Sequence, residues 1–190
     1  VAHSFPTRRS SDPPGLITAP AFVLEEVDLL TTKRSLNEGA GDGEVLRFRS
    51  AMERTEEQLH AARREILSRS SGDPLDIVDA YIKLLRDPLL MGEVERHILG
   101  DLINAEWALS QTLRDIRSTF LSLDDPYLRE RGQDIQFVGQ RLMSNLTGGQ
   151  KNDFAMIDAD CVVVARDLSP ADTALLGHRG KGIITQGGTK

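Results

Sequence analysis

Apolar residues recur every three or four positions through the middle of the chain, which is the spacing of one face of an α-helix. From Glu44 to about Leu146 three such stripes follow one another, with a denser apolar stretch from Leu75 to Leu90 between the first two. The stripes are Val45, Phe48, Met52, Thr55, Leu59, Ala62 and Ile66; Leu102, Ala105, Leu109, Leu113, Ile116 and Phe120; and Leu128, Ile135, Val138, Leu142 and Leu146. A nearly unbroken apolar face predicts a helical core rather than a cofactor-binding surface.

Aspartate–proline pairs divide this helical region. Asp73-Pro74, Asp87-Pro88 and Asp125-Pro126 each place a carboxylate where it can cap a helix, followed by proline at the first helical position. The pairs predict three long helices and one helix broken at Asp87, packed as an antiparallel bundle. Residues 37–43 are rich in glycine and acidic residues, which predicts a linker before the bundle.

Both ends of the chain carry strand patterns instead. The apolar run Leu16–Leu24 predicts an edge strand or a bend, because Pro20 interrupts it. Near the other end, Cys161–Ala165 and Gly182–Thr185 predict two strands, and Ser169–Asp172 between them has the residues of a helix cap. A strand, a crossover helix and a strand predict a parallel pair with a right-handed crossover.

The predicted fold class is therefore an α/β domain assembled from both ends of the chain, with an antiparallel helical bundle inserted. The α/β parts are residues 13–36 and 147–190, and the bundle is residues 37–146. Residues 1–12 show no period and no secretion signal, and they resemble translated sequencing-adapter read-through. We predict that they are non-native and exclude them, with His3, from the fold.

Charge, cysteine content and hydropathy exclude several classes of partner and site. The net charge of −6 makes a nucleic-acid partner unfavourable, because phosphate contacts require clustered Lys and Arg. The single cysteine, Cys161, excludes an internal disulfide and lies in an apolar run, which predicts a buried strand residue. No apolar stretch approaches the roughly 20 residues that cross a membrane. These features predict a cytoplasmic protein with no membrane partner.

Histidines are the first candidates for catalysis, but the sequence around each one shows no catalytic pattern. His60 lies on a charged helix flank, His97 lies near a helix end, and His178 lies in a glycine-rich turn. No two are spaced as metal ligands, and none belongs to a recognisable triad, so we predict no metal site and no catalytic role for them. The pair Gly187-Gly188 follows a strand but lacks the frame of a phosphate-binding loop.

Several segments together are more specific than any single motif. In order along the chain they are Pro14–Leu16, Asp79–Pro88, Asp124–Arg131, Asp134, Gly139–Leu142 and Val164–Thr173. This series resembles the N-terminal region of enzyme I of the phosphoenolpyruvate-dependent phosphotransferase system, from about Pro14 to Lys190 and with the same helical insertion. The string Ala105–Leu109 looks more like the nitrogen-branch enzyme I than the sugar-transport form.

The resemblance implies a swivelling phosphohistidine domain and a mechanism. In the family, a histidine takes the phosphoryl group from phosphoenolpyruvate and passes it to a histidine phosphocarrier protein, because imidazole is nucleophilic and forms a labile phosphoramidate. The acceptor follows a glycine pair, which Gly187 and Gly188 match, so it is expected just after Lys190. Thr173 matches a family threonine that hydrogen-bonds this histidine. The chain itself is expected to be inactive.

The resemblance also implies partners and their sites. The helical region binds the phosphocarrier in the family, which points to Tyr81, Leu84, Leu90 and Arg131, although both leucines also suit a bundle core. The second helix departs from the acidic family pattern at positions that include Lys83. In the family, phosphoenolpyruvate, Mg²⁺ and dimerisation belong to a further domain, so no cofactor is expected in this chain. An upstream sensory domain, as in the nitrogen branch, is neither implied nor excluded.

Two other readings compete with this one. A swivelling domain of the pyruvate phosphate dikinase or phosphoenolpyruvate synthase type shares the glycine-pair loop, but lacks this helical insertion in this order. A non-catalytic helical interaction module would require no histidine after Lys190. The codons that follow Lys190 separate the enzyme I hypothesis from the interaction module: Ser-His there supports enzyme I, and its absence would exclude enzyme I.

Overall fold

The structure is a computed structural model, and it describes residues 2–3, 17–24, 31–69, 74–122, 124, 126–148, 157, 160–166, 168, 172–173, 176 and 180–186. The chain divides into two compact units. One unit combines residues 1–26 with 151–190, and the other is residues 27–150. The domain boundaries predicted from the sequence stay predictions, but residues 27–36 fall in the second unit rather than with the strands.

The unit of residues 27–150 is a helical bundle. Its helices are α1 (Gly41–Arg69), α2 (Pro74–Leu85), α3 (Pro88–Gly100), α4 (Ala105–Leu121) and α5 (Pro126–Leu146). Three are long, and α2 and α3 form the shorter pair separated at Arg86 and Asp87. The prediction of three long helices and one broken helix is confirmed.

The first predicted stripe lies entirely in the bundle core. Every one of its residues is buried, including the polar Thr55. The hydroxyl of Thr55 donates to the carbonyl oxygen of Ala51 at 2.8 Å and accepts from the side-chain amide of Asn145 at 2.9 Å. Because both hydrogen-bonding capacities of the hydroxyl are used, a threonine can occupy this core position without a large desolvation penalty.

The break between α2 and α3 is a capped helix start. Asp87 has extended backbone (φ −63°, ψ 121°), and its carboxylate accepts a hydrogen bond from the amide of Leu89 at 2.9 Å. Pro88 occupies the first turn of α3, where its missing N–H costs nothing. The predicted cap at Asp87 is confirmed, whereas Asp73 and Asp125 lie outside the described residues.

Two details of the helical predictions are wrong. The linker expected over 37–43 already becomes helix at Gly41, because acidic residues in the first turn of α1 complement the positive helix terminus. Leu102, placed in the second stripe, precedes α4 and has φ 49°, a left-handed turn conformation. Its carbonyl oxygen accepts a 2.7 Å hydrogen bond from the amide of Leu36, which fixes the turn against the incoming chain.

The other unit is a small, mostly parallel sheet. Its strands are β1 (Ala2–His3), β2 (Ala21–Val23), β3 (Val162–Ala165) and β4 (Gly182–Thr185), in the spatial order β1-β4-β3-β2. Strands β2 and β4 both pair with β3 in parallel, and β1 pairs antiparallel with β4. The predicted parallel pair and the edge position of β2 are confirmed, as is the overall fold class. The non-native origin predicted for residues 1–12 stays a prediction, but the exclusion of His3 from the fold is wrong, because Ala2 and His3 pair with Ile184 and Ile183 of β4.

A glycine allows the chain to enter β4 close to β3. Gly180 has φ +85°, and a Cβ there would lie 3.0 Å from the carbonyl oxygen of Cys161. The next residue, Lys181, donates its amide to the same oxygen at 2.7 Å. The strands pack on a core that contains Cys161, as predicted: Leu24, Ile157, Cys161, Val163, Ala165, Leu176 and Ile183.

Candidate functional site

An apolar groove of about 90 Å³ lies in the helical unit at the break between α2 and α3. Helices α4 and α5 form its other walls. The lining residues are Leu84, Asp87, Leu89, Leu90, Leu113, Ile116, Phe120, Ile135 and Val138. Asp87 is the only charged residue among them, so the groove suits an apolar ligand surface.

The groove is open to solvent at the helix break. Leu89 is 60% exposed, and Asp87 beside it is also exposed. Asp87 caps α3 and Pro88 is its first residue. Leu89 is therefore the first large apolar side chain of α3, and it lies at the mouth of the groove. Together, the apolar groove and the exposed leucine at its mouth offer apolar area that another protein could cover.

The wall between α4 and α5 depends on a glycine in the motif Gly139–Leu142. A Cβ at Gly139 would lie only 2.4 Å from Cδ1 of Leu113. The two helices can therefore approach closely only because position 139 has no side chain. Since Leu113 also lines the groove, Gly139 sets the position of one groove wall.

The predicted carrier-binding residues occupy different places. Tyr81 is buried, and its hydroxyl donates to Oδ1 of Asp134 at 3.2 Å, so it joins α2 to α5. Leu84 is half-buried and Leu90 is buried, and both line the groove. Arg131 belongs to α5, but its side chain lies outside the described part of the chain. The roles of these residues in carrier binding stay predictions.

A network of charged groups joins α1, α4 and α5. The guanidinium of Arg47 donates to Oε1 of Glu44 at 2.6 Å, to Oε2 of Glu106 at 2.8 Å and to the carbonyl oxygen of Leu146 at 3.0 Å. Glu44 also accepts from the amide of Ala105 at 2.7 Å, so a side chain of α1 caps the start of α4. Three helices are thereby fixed at one point.

The same network holds the segment that leads into the bundle. Oε2 of Glu106 accepts a 2.8 Å hydrogen bond from the side-chain amide of Asn104, whose Oδ1 accepts from the backbone amide of Arg34 at 2.8 Å. These residues could not be identified from the sequence alone, because charged residues 59 positions apart, such as Arg47 and Glu106, look like separate surface charges. The one available signal was Glu106 in the first turn of a predicted helix.

The pKa values of the two carboxyl groups reflect this network. The hydrogen bond from Arg47 holds the pKa of Glu44 below its usual value of 4.5, against the effect of burial. For Glu106, burial raises the pKa, but the bonds from Arg47 and Asn104 outweigh it, so the net pKa is lowered. Both carboxylates therefore stay charged at neutral pH, and Arg47 compensates them.

The α/β unit gathers the carboxyl ends of its parallel strands at one edge. Ala165 pairs with Thr185 where β3 and β4 end, and the amide of Gln186 donates to the carbonyl oxygens of Ala165 and Arg166 at 3.3 and 3.1 Å. Ligands of α/β folds bind beyond such edges. Gly187 and Gly188 come directly after Gln186 but lie outside the described residues. Thr173 is half-buried in a helical segment after β3, and its predicted role is untested.

His60 and His97 both have side-chain partners within the chain. Nε2 of His60 lies 3.4 Å from Oε1 of Glu56. His97 is buried, with Nδ1 at 2.6 Å from Oδ2 of Asp101 and Nε2 at 3.1 Å from a guanidinium nitrogen of Arg96. Both ring nitrogens of His97 therefore have partners, which fits a helix-end structural role. His178 lies outside the described residues.

A metal-binding cluster and a membrane-spanning helix are both absent from the described ranges. No three His, Cys, Asp or Glu side chains among these residues come close enough to hold a metal ion. None of the helices within the described ranges is both long and apolar enough to cross a membrane.

Comparison with known proteins identifies the family. The sequence profile described as PEP-utilising enzyme, N-terminal, matches residues 13–131. Phosphoenolpyruvate-protein phosphotransferase of Bacillus subtilis is 35% identical over 164 residues, which cover 86% of this chain and 28% of that protein. The protein of the same name from Listeria innocua is 38% identical over 172 residues, covering 90% and 30%. The chain thus spans less than a third of the length of these curated relatives.

Solved structures agree with the fold described above. An NMR structure of an enzyme I protein (nEIt) matches with a TM-score of 0.77 and 30% identity, covering 91% of this chain and 70% of that one. The N-terminal domain of the nitrogen enzyme I matches with a TM-score of 0.69 at 23% identity, which supports the fold alone, so the nitrogen-branch assignment stays a prediction. The profile, the relatives and the first structure together confirm the resemblance seen in the sequence: this chain belongs to the family of PEP-utilising enzymes, N-terminal, with the fold of the N-terminal domain of enzyme I.

Proposed function

We propose that this chain is the phosphocarrier-binding part of a phosphoenolpyruvate-protein phosphotransferase, and that its groove is where the carrier docks. The observation that carries the proposal is the exposed Leu89 at the mouth of an apolar groove, in the unit that the family profile largely covers. An apolar side chain of the carrier that enters this groove would cover Leu89 and remove it from water. Burial of apolar area is the main driving force for such association.

The groove also suits a partner that must bind and leave repeatedly. Its volume of about 90 Å³ accommodates one or two apolar side chains rather than a whole helix. Complexes with small contact areas are typical of transient transfer partners. The walls on α2, α4 and α5 are held by core contacts and by the Tyr81–Asp134 hydrogen bond, so little ordering is needed on binding.

The α/β unit supplies the second half of the proposal. The parallel strands β3 and β4 end together at Ala165 and Thr185, and the glycine pair follows. An acceptor histidine after the pair would lie beyond the carboxyl edge of the sheet, where a small carrier can approach it. In this proposal Thr173 and the glycines support that histidine.

We further propose that the chain alone transfers no phosphoryl group. The sequence has four histidines and no Ser-His pair, and both ring nitrogens of His97 already have partners within the chain. Phosphoenolpyruvate and Mg²⁺ would bind to a further domain of the full-length protein, which would also form the dimer. A cytoplasmic location is part of the same proposal.

Calorimetric titration of the chain with a histidine phosphocarrier protein tests the docking site. We expect binding by the unaltered chain and a loss of about tenfold or more in affinity for Leu89→Asp, because a carboxylate at the groove mouth must be desolvated. Supplied with phosphoenolpyruvate and Mg²⁺, the same mixture is expected to leave every histidine of the chain unphosphorylated in an intact-mass measurement.

Leu46 offers a matched control. It is 65% exposed on α1, which contributes no residue to the groove. Leu46→Asp should therefore leave the carrier affinity unchanged. Equal losses in the two variants, or no carrier binding by the unaltered chain, would refute the groove as the docking site.

A further inference from the structure

The chain passes between its two compact units at two places, and both lead to the Glu44–Arg47–Glu106 network. The boundaries fall between residues 26 and 27, where the chain enters the helical unit, and between residues 150 and 151, where it leaves. Residues 34–36 lie just inside the first boundary, and α5 ends at Leu146, just before the second. The contacts of these two segments show what the network holds in place.

The entering segment is fixed to the turn between α3 and α4. Ser35 and Ile103 form an isolated antiparallel bridge. The backbone of Arg34 makes two hydrogen bonds with Asn104: its carbonyl oxygen accepts from the Asn104 amide at 3.0 Å, and its amide donates to Oδ1 of Asn104 at 2.8 Å. The chain is therefore attached to the bundle before α1 begins.

Asn104 makes this contact instead of a local one. It occupies the N-cap of α4, where an asparagine side chain usually accepts from amides of its own helix, but within the described helix it makes no such bond. Glu44 caps α4 instead, through the 2.7 Å bond from the amide of Ala105. Asn104 is only 1% exposed, so its side chain is committed to the backbone of Arg34 and to Glu106. A cap residue that serves a distant segment indicates that the position of this segment matters.

The leaving segment is held by the other end of the network. One guanidinium nitrogen of Arg47 donates to the carbonyl oxygen of Leu146 at 3.0 Å, and another donates to Oε2 of Glu106 at 2.8 Å. Two residues later, Gly148 has φ +76°, the left-handed conformation that commonly follows the end of a helix. Four hydrogen bonds therefore connect the entering chain to the leaving chain, in the order Arg34, Asn104, Glu106, Arg47 and Leu146.

We infer that Asn104, Glu106 and Arg47 are positioning residues, which anchor both connections between the two units at one place on the helical unit. The inference rests on the proposed function, because the carrier would dock on the helical unit while the acceptor histidine belongs to the α/β unit. A short tether raises the effective concentration of one site near the other. The three anchor residues thus keep a docked carrier within reach of the histidine, although they contact neither.

Distances between two spin labels test the anchor in this chain without a carrier. Ala21→Cys on β2 and Glu57→Cys on α1 place the labels at exposed positions, one in each unit. Cys161→Ala removes the single native thiol. Asn104→Ala releases the entering segment, and Arg47→Met releases the leaving one. We expect each of these two variants to broaden the distance distribution, measured by pulsed electron paramagnetic resonance, by about 5 Å.

Gly139→Ala is the matched control for a general loss of stability. It disturbs the packing of the helical unit at Leu113 and leaves both connections intact, so the distance distribution should stay unchanged. Glu106→Gln preserves the shape of the side chain and weakens its hydrogen bonds, so it should fold and give a smaller broadening. Equal broadening in Gly139→Ala, or unchanged distributions in all three anchor variants, would overturn the inference.

The consequence for the reaction is tested in the full-length protein that contains this chain. Asn104→Ala should lower the rate of phosphoryl transfer at saturating carrier about threefold or more. The KM for the carrier should stay unchanged, because the groove is unaltered. An unchanged rate, or a raised KM at the original rate, would contradict the positioning role. Failure of the proposed function is recognised separately, by calorimetry that detects no carrier binding to the unaltered chain, and the label distances still decide the anchor in that case.

Discussion

The groove and the Glu44–Arg47–Glu106 network lie in the same helical unit, but they differ in how far their side chains are satisfied by contacts within the chain. In the network, every charged group has a partner inside the chain and the carboxylates are largely covered. At the groove, the apolar side chain of Leu89 is exposed to solvent. The first region is complete without a partner, whereas the second gains contacts only when a partner binds.

This difference indicates that the network mainly stabilises the fold, whereas the groove mainly serves binding. Contacts that are saturated within the chain stabilise the fold and offer nothing to another protein. Contacts that are left open add little to stability, but they supply the free energy of association. Changes in the network should therefore alter unfolding and leave the carrier affinity unchanged, whereas changes at the groove should do the reverse.

Glu106→Ala is expected to give the largest effect on stability. It leaves the amide of Asn104 and part of the Arg47 guanidinium without an acceptor, so the free energy of unfolding should fall by about 2–3 kcal/mol. Urea denaturation followed by circular dichroism measures the change. Glu95→Ala removes the partner of the exposed Arg49 and should change little. A loss of carrier affinity in the folded Glu106→Ala variant would contradict the assignment of stability to the network and of binding to the groove.

Gly139→Ala should affect both properties moderately. The new methyl group would meet Leu113 at 2.4 Å, so Leu113 must move and the groove wall moves with it. We expect a loss of about 1–2 kcal/mol in stability and a weaker affinity for the carrier. Gly92→Ala on α3 meets nothing within 4 Å and should stabilise the helix by about 0.5–1 kcal/mol. Identical effects of the two substitutions would argue against close packing at position 139.

Lowering the pH should weaken the Glu44–Arg47–Glu106 network gradually, and this is the smallest of the expected effects. Because the pKa values of Glu44 and Glu106 are lowered in the folded chain, their contribution to stability is fully present above the ordinary value of 4.5. It is lost as the pH falls through the lowered values. The free energy of unfolding measured from about pH 7 to about pH 3 should therefore decrease below that point, and less steeply in Glu106→Gln. An equal slope in that variant would show that Glu106 does not titrate with folding.

The sequence predicted the parts of the fold that depend on local patterns. The stripe of α1 and the capped break at Asp87 follow from helical periodicity and from the chemistry of aspartate and proline. The turn at Leu102 could not be predicted, because an apolar residue with positive φ is held there by a hydrogen bond from the distant Leu36. Such contacts form only when the tertiary structure is complete.

The candidate site was predictable only in part. The resemblance pointed to Tyr81, Leu84, Leu90 and Arg131, and of these Leu84 and Leu90 do line the groove. It did not indicate Leu89, whose exposure arises from the cap at Asp87, or Gly139, whose importance depends on the position of Leu113. Periodicity assigns a residue to a helix face, but it does not show where two faces leave a gap.

The most direct test is to map the amide chemical-shift changes of the isotope-labelled chain during titration with a histidine phosphocarrier protein. We predict that the largest changes lie at Leu84, Leu89, Ile116 and their neighbours around the groove, and that the amides of Glu44, Arg47 and Glu106 change little. Changes that cluster at the network, or no changes at the groove under saturating carrier, would contradict the assignment of this groove as the docking site.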